Sequence, residues 1–468
     1  MRREAMLEFD HEIACDILVV GGGCAGISAA AAAAQSGAKT LLVDAGAMLG
    51  GELISGMPLI GAVTMTNRWV VGGMLKQLLD ICQEFGGYIG PVSDFRTLNV
   101  VAFDSEIMKI AVAEFLHRSG VEILLYTLAD RIETRHGRVT GVVLRNKSGR
   151  SLVRPRAVID CSGDGDVAIS AGAPYESGDA ATGAFQALTL MFRMVNVDAD
   201  AFLRFIASQP DDFDLRHQPA LGMTREQCIA ALVRQGLPKA AMMATGLTLK
   251  RAIASGEMFP VSALAIAPVS RERREVSINA TRIANIDATD TQRLSGTIRD
   301  LMLQVRSCSA FLKRSVPGFE NAHFSGLAPR VGIRETKRVI GEHQLSRDDV
   351  LGSHRFDDVI GLGSHELDVH GAGTDHLREV IPGAGTYDVP FRCLIPKGLS
   401  NVLIAGRCIS STREGHSSAR VMGTCMATGQ AAGTAAAYLA GEANIDDVRL
   451  IPIEELQRRL AAAGAVLN

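Results

Sequence analysis

Near the N-terminus, three glycines and one carboxylate have the types and spacing to hold a phosphate ester. Gly21, Gly23 and Gly26 satisfy G-x-G-x-x-G, and Asp44 follows Gly21 by 23 residues. In such a set the glycines serve a tight turn, close backbone approach to a pyrophosphate, and close packing of the next helix. The acid accepts hydrogen bonds from a ribose. Imidazoles form a second chemical resource: five of the eleven histidines fall between His343 and His376. His365-Glu366…His370 is one residue too long for H-E-x-x-H, and flanking glycines at 361, 363, 371 and 373 oppose a helix there, so no metal is assigned. Read as a strand, Glu366, Asp368 and His370 share one face.

The glycines need particular elements to place them. Ile17 to Val20 reads as a buried strand running into Gly21-Gly22-Gly23. An alanine-rich helix is expected from about Ile27 to Ser36, and Gly37 ends it before "TLLVD" gives a second strand closed by Asp44. The helix N-terminus would turn free N–H groups and positive potential toward the phosphates. With strand, helix and acid all in place, the stretch reads as a dinucleotide site.

Composition narrows the classes. In 468 residues, 47% are hydrophobic and 21% charged, with a net charge of −3, which gives no support for nucleic-acid or membrane-surface binding. No unbroken apolar run approaches the ~18 residues of a membrane span. "MRREAMLEFDHEIAC" lacks the apolar core of a signal peptide. Nine cysteines, scattered and without C-x-x-C, point to reduced thiols in a cytoplasm. Cys24 reads as a small loop residue.

Beyond Asp44 and Ala45, Gly50-Gly51 lets backbone pass close to a bulky ligand. A helix is expected after Asp104, with Ile107, Ala111 and Phe115 on one stripe and Met108, Val112 and Leu116 beside it. "VEILLYTLAD" and "RVTGVVLRNKSGRSLVRPRAVIDC" read as successive strands with turns at His136-Gly137 and Ser148-Gly149. This antiparallel meander after one β-α-β unit disfavours an ordinary nicotinamide dehydrogenase. In "IDCSGDGDVAISA", Asp160, Ser162, Asp164 and Gly165 mimic a calcium loop, but Ala171 stands where the bidentate Glu belongs. The stretch reads instead as a strand ending beside a cofactor, with Gly163 and Gly165 allowing close approach. From about 183 to 386 come helical segments ("DADAFLRFIASQ", "TREQCIAALVRQG", "TIRDLMLQVRSCSAFLKRS") and strand-like ones ("EVSINATRI", "VIGEHQL"). "NVLIAGR" then returns to a strand-glycine turn, followed by a second small-residue helix.

Together, "VVGGGCAGISAA", "LGG", "IDCSGDGDVA", "GIRETKRVIGEHQL", "LDVH", "VPFRCLIPKGLSNVLIAGRCIS" and "SARVMGTCMATGQAAG" resemble the FAD-dependent oxidoreductases of the glutathione-reductase-like two-domain class, nearest a broad bacterial group named only by that activity. The resemblance spans nearly the whole chain. It implies an α/β fold with a Rossmann-like FAD domain at 14–182 and 387–445, an inserted α+β substrate domain at 183–386, and a C-terminal helix within 446–468. It implies that Gly21, Gly23 and Gly26, with Cys24 and Ala25 between them, hold the pyrophosphate, and that Asp44, beside Ala45, holds the ribose. Gly50 and Gly51 would approach the diphosphate, and Leu128 and Ala129 would border the adenine. Gly163 and Asp164 would lie beside the cofactor, and Gly406 and Arg407 along the ribityl chain. The helix starting at Val421 or Met422 would aim its positive end at the flavin pyrimidine. No His follows Gly50-Gly51, which implies noncovalent FAD.

The expected chemistry is hydride transfer between a small organic substrate and FAD, as a dehydrogenase or oxidase. An alkene reductase, or a non-catalytic electron-transfer subunit serving a partner protein, is the alternative. No second dinucleotide fingerprint is found, so electrons are expected to come from the substrate and leave to oxygen, a quinone or a redox protein. The reading is compatible with a homo-oligomer. His370, with Asp368 two residues back, is the candidate acid/base; His416 is its rival, and a structural role is open to both. Arg330, Arg334, Lys337 and Arg338 form either a solvated, salt-bridged face or a substrate-anion clamp. Arg413, Glu414 and His416 either touch substrate or fix their loop.

Overall fold

The computed structural model describes residues 9–96, 99–215, 219–383, 385–442 and 444–468. Part of the stretch read as lacking a signal peptide, residues 1–8, lies outside them. Among the described residues no helix is long and apolar enough to cross a membrane.

The apolar run Ile17–Val20 forms the central strand of a five-stranded parallel sheet. Its order is Val402–Ile404, Ala157–Asp160, Ile17–Val20, Thr40–Val43, Glu122–Leu124. Strands buried on both faces read as continuous hydrophobic runs, which fits the four buried strands; only the edge strand Glu122–Leu124 is partly exposed. The fingerprint helix occupies Cys24–Gln35, three residues earlier than expected, because the glycine loop itself supplies the first turn: the Ile27 N–H donates to the Gly23 carbonyl. The C-terminal helix Met422–Gly441 lies directly on it. A side-chain carbon added at Gly429 or Gly433 would stand 2.2 Å from the carbonyl of Ala25 or Ala29, and Ser28 donates to the Met426 carbonyl at 2.7 Å. Only glycine and alanine permit backbones this close.

"VEILLYTLAD" is not one strand. Glu122–Leu124 joins the parallel sheet, and after Tyr126 (φ 52°) Leu128–Arg135 leaves for the meander; the Thr127 N–H, bonded to the Asp44 carbonyl, marks the turn-off. The meander Leu128–Arg135, Arg138–Asn146, Gly149–Val153 gains a parallel edge strand, His11–Ile13. The helix after Asp104 spans Ser105–Arg118, capped by that carboxylate, and buries both expected stripes apart from half-buried Ile107.

A second core lies under a five-stranded sheet ordered Ala240–Met243, Ala263–Ser270, Glu275–Asn279, Phe192–Val195, His323–Leu327. The long helix Thr291–Ser315 and Ala199–Ser208 pack on it through Phe311, Leu312, Phe202 and Ile206. This sheet stays within 192–327. Leu345 through Ile395 pack in the first core, well before the return expected at 387, because Ile360, Leu362 and Tyr387 join the cluster that holds both small-residue helices. "VIGEHQL" is strand only at its start, Lys337–Val339; Gly341 and Leu345 make single bridges to Pro396 and Ser411. Its glycine sits against the Ile395 carbonyl and has no neighbouring ladder to extend. The helix at the C-terminal end is Ile453–Ala462.

One buried carboxylate ties distant segments together. Glu335, 1% exposed, accepts from Arg338 at 2.7 Å, from Arg413 at 3.1 Å and from the Gln186 N–H at 3.1 Å. Removing it leaves buried Arg338, among the described residues, with only the carboxylate of the more exposed Glu176, at 3.4 Å, and Arg413 with only that of Asp179, at 2.9 Å. Glu335→Ala should therefore lose about 3–5 kcal/mol of stability, measured by urea unfolding, with Glu335→Gln losing less.

Candidate functional site

A cavity opens at the carboxyl ends of the parallel strands, the usual place for a ligand in such sheets. Of the expected cofactor residues, Gly21, Gly23, Cys24, Ala25, Asp44, Gly51, Gly163, Gly406, Arg407 and Met422 line it. Each glycine of the fingerprint does something different. Gly21 turns at φ 99° with Cys161 pressed against it, and Gly26 packs on the Gly21 carbonyl, where a methyl group would collide. At Gly23 an added carbon would meet no protein atom within 4 Å. That open space, at the helix N-terminus, is what a pyrophosphate requires. Both Asp44 oxygens accept backbone N–H groups, from Gly22 and Gly46, at 2.6 Å, which holds the carboxylate at the cavity wall.

The remaining expected contacts stand behind this wall. Gly50 donates its N–H to the Gly22 carbonyl and supports the loop. Asp164 receives Arg407 at 2.8 Å and Thr336 at 2.7 Å, so it steers the arginine. Ala45 and Leu128 are exposed, and Ala129 is half-buried; none of the three lines the cavity, although their segments join at the bond between Thr127 and Asp44. Val421 caps the helix Met422–Gly441 and faces a second cavity. The Cys24 thiol is buried against the Gly50 carbonyl, and burial pushes it up to about 11, so it is no thiolate nucleophile. Asp160 is fully buried and accepts from Ser162, Val167 and Ala168, which accounts for the motif without calcium.

The second cavity, about 200 Å³, shares Glu52, Met57, Arg334, Arg420 and Met422 with the first. It is smaller than the ~300–1,000 Å³ of drug-sized sites. One wall is the hairpin Leu367–His370 and His376–Glu379. Here Asp368 takes His370 Nε2 at 2.9 Å and also His376 Nε2, and the two rings stack at 4.4 Å. Burial pushes the carboxylate up, yet the hydrogen bonds it accepts from His370 and His376 hold it well below its usual range. Being acceptor-only, it requires both Nε2 atoms to carry hydrogen, leaving Nδ1 of His370 as a base. Burial is the main cause that pushes His370 down to about 3, with Arg334 adding to it, so the ring is neutral. The ligand atoms of Asp368, His370 and His376 lie within 4.8 Å of one another, a grouping hidden from the sequence because His376 arrives across the hairpin. Arg334, Arg378 and Arg420 share this cavity, and their charge opposes a metal cation there.

His416 lines neither cavity. Its fully buried ring donates Nε2–H to the Arg407 carbonyl at 2.8 Å and thereby fixes that loop. Arg413 likewise fixes its loop, on Glu335 and Asp179. The basic cluster divides: Arg330 and Arg334 face the first cavity, Arg338 is buried on Glu335, and Lys337 lies over the Tyr175 ring. Arg96, Lys239, Arg282 and Arg378, which no sequence motif marked, complete the second cavity.

A model of the family described as FAD dependent oxidoreductase matches residues 16–460. Among solved structures, the chain is similar to a geranylgeranyl bacteriochlorophyll reductase-like protein from Thermoplasma acidophilum, at 13% identity over 97% of this chain and 84% of that one, with a TM-score of 0.47. It is also similar to the flavin-dependent brominase Bmp2 (11%, 95% and 83%, 0.46). A third is the OxyS anhydrotetracycline hydroxylase from Streptomyces rimosus (12%, 97% and 67%, 0.43).

Gly23 has φ −73°, so Gly23→Val strains no backbone. The variant should fold but purify without flavin, as read by its visible spectrum. A second expectation concerns acid. Burial holds His365 down at about 4, His370 at about 3 and His416 well below its usual value. The unfolded chain, titrating near 6.5, then binds more protons below that pH than the folded one. Stability is full above about 6.5 and should fall as pH drops, by up to about 1.4 kcal/mol per group per pH unit. Urea midpoints between pH 8 and pH 4 check this.

Proposed function

The chain belongs to the FAD dependent oxidoreductase family, and on that premise we propose a dehydrogenase or oxidase that passes a hydride between a small organic substrate and noncovalently held FAD. The observation that carries this reading is the second cavity, which shares five lining residues with the cofactor cavity and carries the His370–Asp368 pair on its wall. FAD, when bound, supplies a two-electron acceptor. Gly21, Gly23 and Gly51 would hold its phosphates and Asp44 its ribose, while the N-terminus of Met422–Gly441 favours negative charge on the ring.

The chain's own part is to orient the substrate and take its proton. With FAD as the hydride acceptor, Nδ1 of His370 would take the O–H or N–H proton of a substrate alcohol or amine. Asp368 fixes the tautomer and stabilises the imidazolium as it forms. Ala241, Ala263, Ala265 and Asn279 of the second sheet form part of the wall of this space.

Anaerobic mixing with a panel of alcohols, amines and hydroxy acids, following flavin absorbance, tests the reading: direct bleaching by a member of the panel is expected. Bleaching that requires a partner protein or an electron donor would overturn it. His370→Ala should retain FAD and slow that bleaching by roughly 10²-fold or more. Because the free ring is already neutral down to about pH 3, the wild-type rate should show no histidine limb between pH 5 and 8. An unchanged rate in His370→Ala would remove this residue from the chemistry.

A further inference from the structure

We propose that the second cavity selects a small organic acid and that Lys239 seats its carboxylate. This deepens the reading above and rests on it for the identity of the cavity as the substrate site. Six basic side chains line the cavity against three acids, Glu52, Asp94 and Asp368. The basic groups are not equally spent. Arg96 is paired with Asp214, and Arg378 with Glu366. Arg282 donates to the carbonyls of Gly371 and Asp375 and to the Ser262 hydroxyl, which order it without cancelling its charge. Arg334 and Arg420 likewise donate to main-chain carbonyls, of Ala187 and Asp368, and Arg420 Nε is buried without a partner among the described residues.

Lys239 stands out. It immediately precedes the edge strand Ala240–Met243 and is only 8% exposed. Among the described residues no acceptor lies within hydrogen-bond or ion-pair distance of its ammonium. The stem of the side chain is packed away while the ammonium reaches the cavity, a placement in which an entering anion would be its natural partner. Burial lowers its proton affinity and Asp94, on the same wall, raises it. A cavity with surplus positive charge and one unspent ammonium is complementary to an oxyanion.

The test uses the FAD-loaded protein and a panel of malonate, succinate and glutarate, with succinamide as the uncharged control and sodium chloride at matched ionic strength. Saturable flavin difference spectra and a rise in melting temperature are expected with at least one acid and not with succinamide. Lys239→Met should keep its FAD, melt no lower than the wild type without ligand, and bind that acid at least tenfold more weakly. Lys239→Arg should recover part of the loss. No response to any acid, equal binding of succinamide, or unchanged affinity in Lys239→Met each overturns the assignment. Flavin reduction is followed separately: a protein that binds the acid but is never reduced by any substrate refutes the dehydrogenase reading and leaves the anion seat standing.

Discussion

The contact between the helices Cys24–Gln35 and Met422–Gly441 is the constraint on which the first cavity depends. Gly429 and Gly433 bring one backbone against the carbonyls of Ala25 and Ala29. Little side-chain entropy is lost in such a contact, and dispersion between close-packed backbones is gained along its length. The geometric result matters more. Two helix N-termini, at Cys24 and Met422, open into the same cavity. Their partial positive charges add where a dinucleotide would carry phosphate and where a reduced flavin would carry negative charge. Larger residues at 429 or 433 would pry the helices apart and misalign both dipoles.

Buried charge supplies the second layer of order. Glu335 joins segments at 186, 338 and 413, and Asp164 holds Arg407 at the cavity rim. Both are structural pairings that place other groups. The second cavity differs: burial and neighbouring guanidinium groups hold His365 and His370 down, so neither adds its charge to that of the arginines and Lys239 on the same wall.

The parallel-sheet half of the fold was legible because its signals are local. Strand, three glycines, helix and Asp44 lie within 29 residues, and each glycine has a steric reason visible at its own position. The partition of the arginines was not legible. Arg334 and Arg338 differ by four positions, yet one faces a cavity and the other is buried on Glu335. His376 escaped notice because its meeting with Asp368 depends on a hairpin turn, and no periodicity encodes that. Lys239 carries no motif at all; its place on the wall of the second cavity appears only in the folded structure. The early return of Leu345–Ile395 to the first core was hidden for a similar reason, since an apolar residue does not announce which of two cores it will join.

The distance along the chain between the two clasping helices has a consequence for how the protein is made. Ser28 and Met426, bonded in the folded state, are 398 positions apart. At a synthesis rate of roughly 5–20 residues per second, the alanine face of the first helix waits about 20–80 s for its cover. During that time the parallel sheet also lacks its edge strand Val402–Ile404. A nascent chain therefore carries the complete glycine fingerprint long before it has a closed cavity to put a dinucleotide in. Cofactor capture belongs to the end of synthesis, and the last small-residue helix acts as the latch.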